Sequence, residues 1–224
     1  MKQYRNFRGV YFIEKRRDIL LLTKSLLKGQ RVYGEDLIRE GEDEFRAWNP
    51  ERSKLGAALQ KEVSQIGIKE NDYVLYLGAS TGTTVSHVSD IVGKEGLVYA
   101  LDFAPRVLRD LVFLAESRDN IAPILADANK PESYAHNVSQ VDCVFMDVAQ
   151  RNQLEIFLKN CRMFLKNGGF GLLALKSRSV DVTKNPKEIY RKVREDLEKE
   201  MTVVDYRELD PFEKDHAMFV VKKK

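Results

Sequence analysis

The 224-residue chain has no long apolar run. Its longest candidate, Ile19-Leu20-Leu21-Leu22, stops at Thr23-Lys24, far short of the roughly 18 residues that cross a bilayer. A transmembrane helix is therefore excluded. The basic start Met1-Lys2-Gln3-Tyr4-Arg5 lacks the apolar stretch of a signal peptide, so an intracellular, cytoplasmic protein is expected. Cysteine is scarce. Cys143 and Cys161 fit neither a metal-ligand spacing nor a disulfide pattern; both are expected to be reduced core residues, and no metal site is expected. An excess of one charge is also lacking, because 37 Lys+Arg against 34 Asp+Glu leave only +3. A protein that grips nucleic acid unaided is usually more basic, and Lys222-Lys223-Lys224 reads first as a solvated tail. There are no internal repeats and no low-complexity segments. What is present is an ordinary globular composition, 43% hydrophobic, sufficient for a core without staples.

The first fifty residues differ from the rest. Val10-Tyr11-Phe12-Ile13 and Ile19-Leu20-Leu21-Leu22 read as strands joined by the charged turn Glu14-Lys15-Arg16-Arg17-Asp18. Further short segments near Arg31-Val32-Tyr33 and Glu44-Phe45-Arg46-Ala47-Trp48 are punctuated by Gly29, Gly34 and Gly41. A small β-rich N-terminal domain over 1–50, closed by Pro50, is expected. From Arg52 onward helical and strand patterns alternate. Leu55, Ala58, Leu59, Val63 and Ile66 have helical spacing. Strands are expected at 72–77, 97–101, 122–126, 141–146 and 170–175, with helices at 83–92, 105–116, 153–165 and 186–200 between or after them. Two last strands, 203–208 and 217–221, stand too close together for a crossover helix and are expected to form an antiparallel hairpin. The expectation for 51–224 is an α/β, Rossmann-like, mostly parallel sheet closed by that hairpin, the architecture of a class I methyltransferase.

In such a sheet the carboxyl ends of the parallel strands share one edge, and ligands bind there. The first strand runs into Gly78-Ala79-Ser80-Thr81-Gly82-Thr83-Thr84, where Gly78, Ser80, Gly82 and Thr83 make a turn that lets a ligand approach the backbone and the free N–H groups of the next helix. A tight strand–helix turn with nothing bound would read the same way. The second strand ends at Asp102-Phe103, an acid able to accept both ribose hydroxyls of an adenosine and an aromatic able to stack on adenine. The third ends at Asp127-Ala128, placing a carboxylate to accept from an adenine amino group, and the fourth at Asp147-Val148-Ala149-Gln150. Three acids at one edge beside a glycine turn favour a nucleoside cofactor over a bare scaffold.

The same topology brings Lys176, at the end of the next strand, and His216, at the start of the antiparallel last strand, to this edge. Lys54 opens the helix that runs back to feed the first strand, so its end of that helix lies there too. Trp48-Asn49-Pro50-Glu51-Arg52-Ser53-Lys54-Leu55, the turn 78–84, Asp147-Val148-Ala149-Gln150 and Asp215-His216-Ala217-Met218 together resemble fibrillarin, and with the N-terminal β domain the resemblance spans essentially the whole chain. It implies an S-adenosyl-L-methionine-dependent RNA ribose 2′-O-methyltransferase. It further implies a Lys-Asp-Lys-His catalytic tetrad at Lys54, Asp147, Lys176 and His216, and cofactor contacts from Thr84, Asp102, Phe103, Asp127, Ala128, Asp147 and Gln150. The partners implied are a Nop-domain scaffold protein, a kink-turn-binding ribosomal-type protein, and a C/D-box guide RNA that pairs with target rRNA or tRNA. Asp102 stands where many relatives carry glutamate, which shortens the carboxylate's reach. The eukaryotic glycine–arginine-rich tail is absent, which points to the archaeal form.

A ribose 2′-hydroxyl is a weak acid and a poor nucleophile, so transfer needs alignment with the methyl–sulfur bond and removal of the proton during attack. A lysine acts as base only when neutral, and a neighbouring cation pushes it that way. Lys176 is expected nearest the hydroxyl as base or electrostatic orienter, with Asp147 orienting it and Lys54 and His216 positioning ribose and phosphate. Two other classes compete. An NAD-dependent dehydrogenase would share the glycine turn and acid, but Ser80 replaces the usual second glycine and no hydride-transfer constellation is present. A structural, non-catalytic subunit of the same RNA–protein particle would not need the intact tetrad.

Overall fold

A computed structural model describes residues 1–16 and 18–224; Arg17, in the expected charged turn 14–18, lies outside them. Five strands form an antiparallel sheet at the N-terminus: β1 (Lys2–Gln3), β2 (Val10–Glu14), β3 (Ile19–Lys24), β4 (Leu37–Glu40) and β5 (Asp43–Ala47), in the order β1-β2-β3-β5-β4. The apolar runs of β2 and β3 pair as expected, Val10 facing Thr23 and Phe12 facing Leu21. Of the two further short segments, 44–48 contributes to β5 while 31–33 forms no strand. The Glu35 carboxylate accepts the backbone N–H groups of Val32 at 3.1 Å and Tyr33 at 2.8 Å, so those donors are turned into a local loop. The strand falls instead at Leu37–Glu40.

The remainder is α1 (Lys54–Gln60), β6 (Tyr73–Leu77), α2 (Thr83–Val92), β7 (Leu97–Asp102), α3 (Pro105–Ala115), β8 (Ile121–Leu125), β9 (Val141–Met146), α4 (Gln153–Phe164), β10 (Leu165–Lys176), α5 (Ser177–Val180), α6 (Pro186–Glu198), β11 (Met201–Glu208) and β12 (His216–Lys223). The seven-stranded sheet has the order β11-β12-β10-β9-β6-β7-β8. Neighbours from β10 through β8 are parallel, and β12 is antiparallel to both β10 and β11. The Rossmann-like sheet with its closing hairpin is thus present.

Two boundaries depart from the sequence expectation. The helix before β6 stops at Gln60, because Glu62 takes a left-handed φ of 60°; Val63 and Ile66 are still buried, but from irregular chain. Likewise β10 begins at Leu165, with a register shift between Leu165 and Phe170 that accommodates Asn167-Gly168-Gly169 inside the strand. The glycine pair makes an interrupted strand rather than a helix stop alone.

The two sheets bury a common core. Tyr4, Phe7, Val10, Leu21 and Trp48 belong to the same cluster as Leu55, Val74, Val85, Phe145 and Met218. Between the sheets lies α2, buried on all sides from Thr84 to Val92. Its polar face is matched by the N-terminal sheet: Arg46 donates to Asp90 at 2.7 Å and to Ser86 at 2.8 Å, and also pairs with Glu35 at 2.6 Å. His87 stacks on Trp48 with ring centroids 4.6 Å apart and bonds Thr23 and Tyr33. Burial, then Arg46 and Arg118, hold the His87 imidazole well below its usual pKa, hence neutral. Cys143 and Cys161 are free and buried. No helix among the described residues is long and apolar enough to cross a membrane.

Candidate active site

The parallel strands β6 to β9 and β10 end along one edge, and the loops that follow them line a cavity of about 290 Å³. Its wall is made from four strand ends: Gly78 and Ser80 after β6, Asp102 and Phe103 at β7, Asp127 and Ala128 after β8, Asp147 and Gln150 after β9. Gly78 has φ of 82° and passes so close to the next loop that an added Cβ would stand 2.5 Å from the Asp147 carbonyl oxygen. Ser80 also takes a left-handed φ, 52°. Its N–H donates to Asp102 Oδ2 at 2.9 Å, while the N–H of Ala104 donates to Oδ1 at 3.0 Å, so the acid is locked against both loops with one lone pair left on each oxygen. Phe103 is 67% exposed at the rim. Asp127 Oδ1 accepts from the backbone and side chain of Asn129 at 2.9 and 3.1 Å. The Asn129 backbone bond is the main reason its carboxyl lies below the usual range. Asn129 also donates to Gln150 Oε1 at 2.8 Å, and the Gln150 amide hydrogens have no partner among the described residues.

Gly82, Thr83 and Thr84 are not in this wall. Gly82 is packed under Leu114 and Leu111, where a Cβ would meet Leu114 at 2.5 Å. Thr83 faces a separate cleft shared with Thr81, Arg52 and Phe113, and the buried Thr84 hydroxyl donates to Ser53 Oγ at 3.0 Å. That bond ties the α2 start to the Ser53 cap of α1, whose Oγ accepts from Gly56 N–H at 3.2 Å. Through its bond to Ser53, Thr84 helps place Lys54, the first residue of α1. A larger groove of about 660 Å³ between α4 and α6 holds none of the residues expected at the site.

Lys54, Asp147, Lys176 and His216 come together beside the cavity. Lys54 Nζ lies 3.0 Å from Asp147 Oδ2. Burial works against the lysine's charge, but Asp147 and Glu213 outweigh it and raise its pKa, so it is an ammonium at any physiological pH. Burial pushes the Asp147 carboxyl up, and Lys54, His216 and Lys176 pull it back. Lys176 and His216 are direct partners across the β10–β12 ladder, which puts both side chains on one face of the sheet. Among the described residues no carboxylate lies within 4 Å of the Lys176 ammonium. The His216 pKa is lowered, chiefly by burial. Its Nδ1 lies 2.8 Å from the Lys214 carbonyl; a carbonyl only accepts, so Nδ1 carries the proton and Nε2 the lone pair.

Two residues at this site were not singled out from the sequence. Gln153, fully buried at the start of α4, accepts the Lys176 N–H at 2.9 Å and donates to the Lys176 carbonyl at 3.0 Å, clamping the main chain that carries the lysine. Its only sequence signal is an amide in the first turn of an amphipathic helix. Glu213, in the loop before β12, faces Lys54 and His216; an acid three residues ahead of a candidate histidine is a signal too common to act on.

The chain matches the family model described as fibrillarin over residues 1–224. It is 51% identical over 218 residues, 97% of this chain and 96% of the other, to a fibrillarin-like rRNA/tRNA 2′-O-methyltransferase of Thermococcus onnurineus. Among solved structures, Aeropyrum pernix fibrillarin in complex with natively bound S-adenosyl-L-methionine superposes with a TM-score of 0.90 at 46% identity, covering 98% of this chain and 96% of that one. The structure of a fibrillarin/Nop5p complex matches with a TM-score of 0.88 at 37% identity over 97% and 98% of the two chains.

Proposed function

Because the chain belongs to the fibrillarin family, we propose that it is an S-adenosyl-L-methionine-dependent methyltransferase acting on ribose 2′-hydroxyls of rRNA and tRNA. The observation that carries this reading is the junction of the two halves of the site at Asp147, which lines the cavity and is ion-paired to Lys54. The cavity suits the cofactor. Among the described residues Asp102 keeps a free lone pair on each oxygen for a ribose diol and Asp127 an uncommitted Oδ2 for an exocyclic amine, while the exposed Phe103 ring offers a face to adenine and the Gly78 cradle leaves room that a side chain would fill. Bound there, S-adenosyl-L-methionine supplies a methyl group activated on a sulfonium.

The chain's own residues then have separable tasks. Lys54, held as a cation by its carboxylates, attracts the phosphate next to the reacting ribose and orients Asp147. Lys176, whose main chain is clamped by Gln153, stands as the group that takes or polarises the 2′-hydroxyl proton. His216 presents its Nε2 lone pair as an acceptor for a sugar hydroxyl. Rigid support matters because the gain from alignment is lost with small displacements.

The net charge of +3 is low for an enzyme that binds RNA alone. A Nop-domain partner, a kink-turn-binding protein and a C/D-box guide RNA are accordingly part of the reading, with guide pairing choosing the nucleotide. The N-terminal sheet, residues 1–50, is read as the smaller of two domains. The test is transfer of labelled methyl to guide-matched RNA in the reconstituted particle, comparing wild type with Lys176→Ala. Label confined to one ribose and lost in the variant supports both reaction and site. No label with cofactor bound in a complete particle favours the structural-subunit alternative, and label that survives in Lys176→Ala removes Lys176 as the essential group.

A further inference from the structure

We propose that Glu213 is a positioning residue of this site, acting through Lys54 and His216 rather than on the substrate; the proposal rests on the methyltransferase reading above. Glu213 belongs to the loop joining β11 to β12, and that loop is fastened at several points. Leu209, fully buried, donates its N–H to the His216 carbonyl at 2.9 Å, and Glu213 donates its own N–H to the Leu209 carbonyl at 3.2 Å. The Asp215 carbonyl accepts both the N–H and the hydroxyl of Ser177, the residue after Lys176, at 3.0 Å each. Phe212 packs against the core. The loop therefore delivers a carboxylate to a defined place, with Oε1 3.9 Å from Lys54 Nζ and Oε2 3.9 Å from His216 Nδ1.

This placement sorts the charges of the tetrad. The Lys54 ammonium stands between two carboxylates, Asp147 at 3.0 Å and Glu213 at 3.9 Å, whereas Lys176 has none within 4 Å among the described residues. A second acid on Lys54 reduces the demand it makes on Asp147, which is left to act on the Lys176 side of the site. On the histidine, a negative charge beside the Nδ1–H bond to Lys214 favours the same tautomer and keeps Nε2 the acceptor. The charged and titratable groups facing this cluster are Lys54 from α1, the buried Tyr76 of β6, Asp147 after β9, Lys176 at the end of β10 and His216 at the start of β12, while the Asp215 carboxylate beside it is paired with Arg178 at 3.4 Å. Removing the Glu213 charge lowers the pKa values of Lys54 and His216 together, since Glu213 raises both.

The experiment compares wild type, Glu213→Gln and Glu213→Asp in the reconstituted particle, measuring single-turnover methyl transfer against pH, cofactor Kd and melting temperature. Expected for Glu213→Gln is a rate about two- to fivefold lower, the scale of losing one partly exposed ion pair, with the acid limb of the profile, where His216 Nε2 takes up a proton, moved to lower pH and cofactor Kd unchanged. Glu213→Asp, which keeps the charge, is expected to return the limb toward its wild-type position. A wild-type rate and profile in Glu213→Gln would overturn the proposal. So would equal losses in Gln and Asp with an unshifted profile, the signature of a residue that only shapes the turn. A wild-type particle that transfers no methyl would instead overturn the reading on which the proposal rests.

Discussion

Replacing Gly78 by alanine tests how the cavity is coupled to the reacting groups. Two separate penalties are expected. The φ of 82° lies in the left-handed region, where a non-glycine residue costs about 1–2 kcal/mol. The new Cβ would also stand 2.5 Å from the carbonyl oxygen of Asp147, so that backbone must retreat by roughly 0.9 Å to reach ordinary contact. Asp147 holds Lys54 at 3.0 Å, and a displacement of that size at a positioning group costs about 100-fold in rate, close to 2.7 kcal/mol. Gly41, in the β4–β5 turn, has φ of 60° with nothing within 4 Å of an added Cβ, so Gly41→Ala isolates the conformational penalty. Gly41→Ala is expected to lose about 2–8 °C in melting temperature, at 2–4 °C per kcal/mol for a chain of this size, and Gly78→Ala more, because the clash adds about 1–3 kcal/mol. Only Gly78→Ala should lose methyl transfer, measured by single turnover with labelled cofactor. A Gly78→Ala rate within about threefold of wild type, or an equal loss in Gly41→Ala, would refute the close approach as the reason for glycine at position 78.

Three further outcomes are expected. Arg46→Met removes a fully buried cation from Glu35, Asp90 and Ser86, and leaving those carboxylates short of a partner should cost about 3–5 kcal/mol, or roughly 6–20 °C in a thermal melt; a drop under about 2 °C would mean the network relaxes without it. Phe103→Ala is expected to weaken S-adenosyl-L-methionine binding about three- to tenfold by calorimetry with an unchanged melting temperature, because the ring is 67% exposed; an unchanged Kd would remove the ring from the cofactor site. Burial, with Asp142 adding to it, pushes the Asp72 carboxyl up to about 6. The folded protein thus holds this proton through a range in which the unfolded chain has released it, so ionised Asp72 destabilises the fold fully above pH 6 and not at all below about 4. Asp72→Asn should therefore be more stable than wild type at pH 7–8, by up to about 2–3 kcal/mol, with the advantage fading between pH 6 and 4 in denaturant titrations. An advantage independent of pH would assign the effect to packing.

Much of this protein was legible in order. Periodicity placed most helices and strands from Asp72 to Val221 within a few residues, since the central parallel strands are apolar on both faces and helices such as α4 and α6 carry one apolar stripe, while the short α5 was not foreseen. Strand direction then sent Asp102, Asp127, Asp147 and Lys176 to one edge, and the absence of a crossover between the last two strands sent His216 there too. Sequence alone left three matters open that tertiary structure decided. The polar face of α2, with Ser86, His87 and Asp90, carries no mark of burial; only the N-terminal sheet laid over it, with Arg46 and Thr23 supplying partners, makes that face interior. Thr83 belongs to the glycine turn and Thr84 is a cofactor contact implied by the fibrillarin resemblance, but spacing does not distinguish a turn's two sides, and only the fold sets Thr84 against Ser53 and Thr83 in the cleft with Arg52 and Phe113. Glu213 meets Lys54, and Gln153 meets Lys176, across long stretches of chain, and a contact between distant residues is set by how elements pack. Local pattern determined which edge carries the chemistry, because strand direction is a local property. Which groups hold Lys54 and Lys176 in their places was determined by the fold, because those distances exist only once the layers have closed.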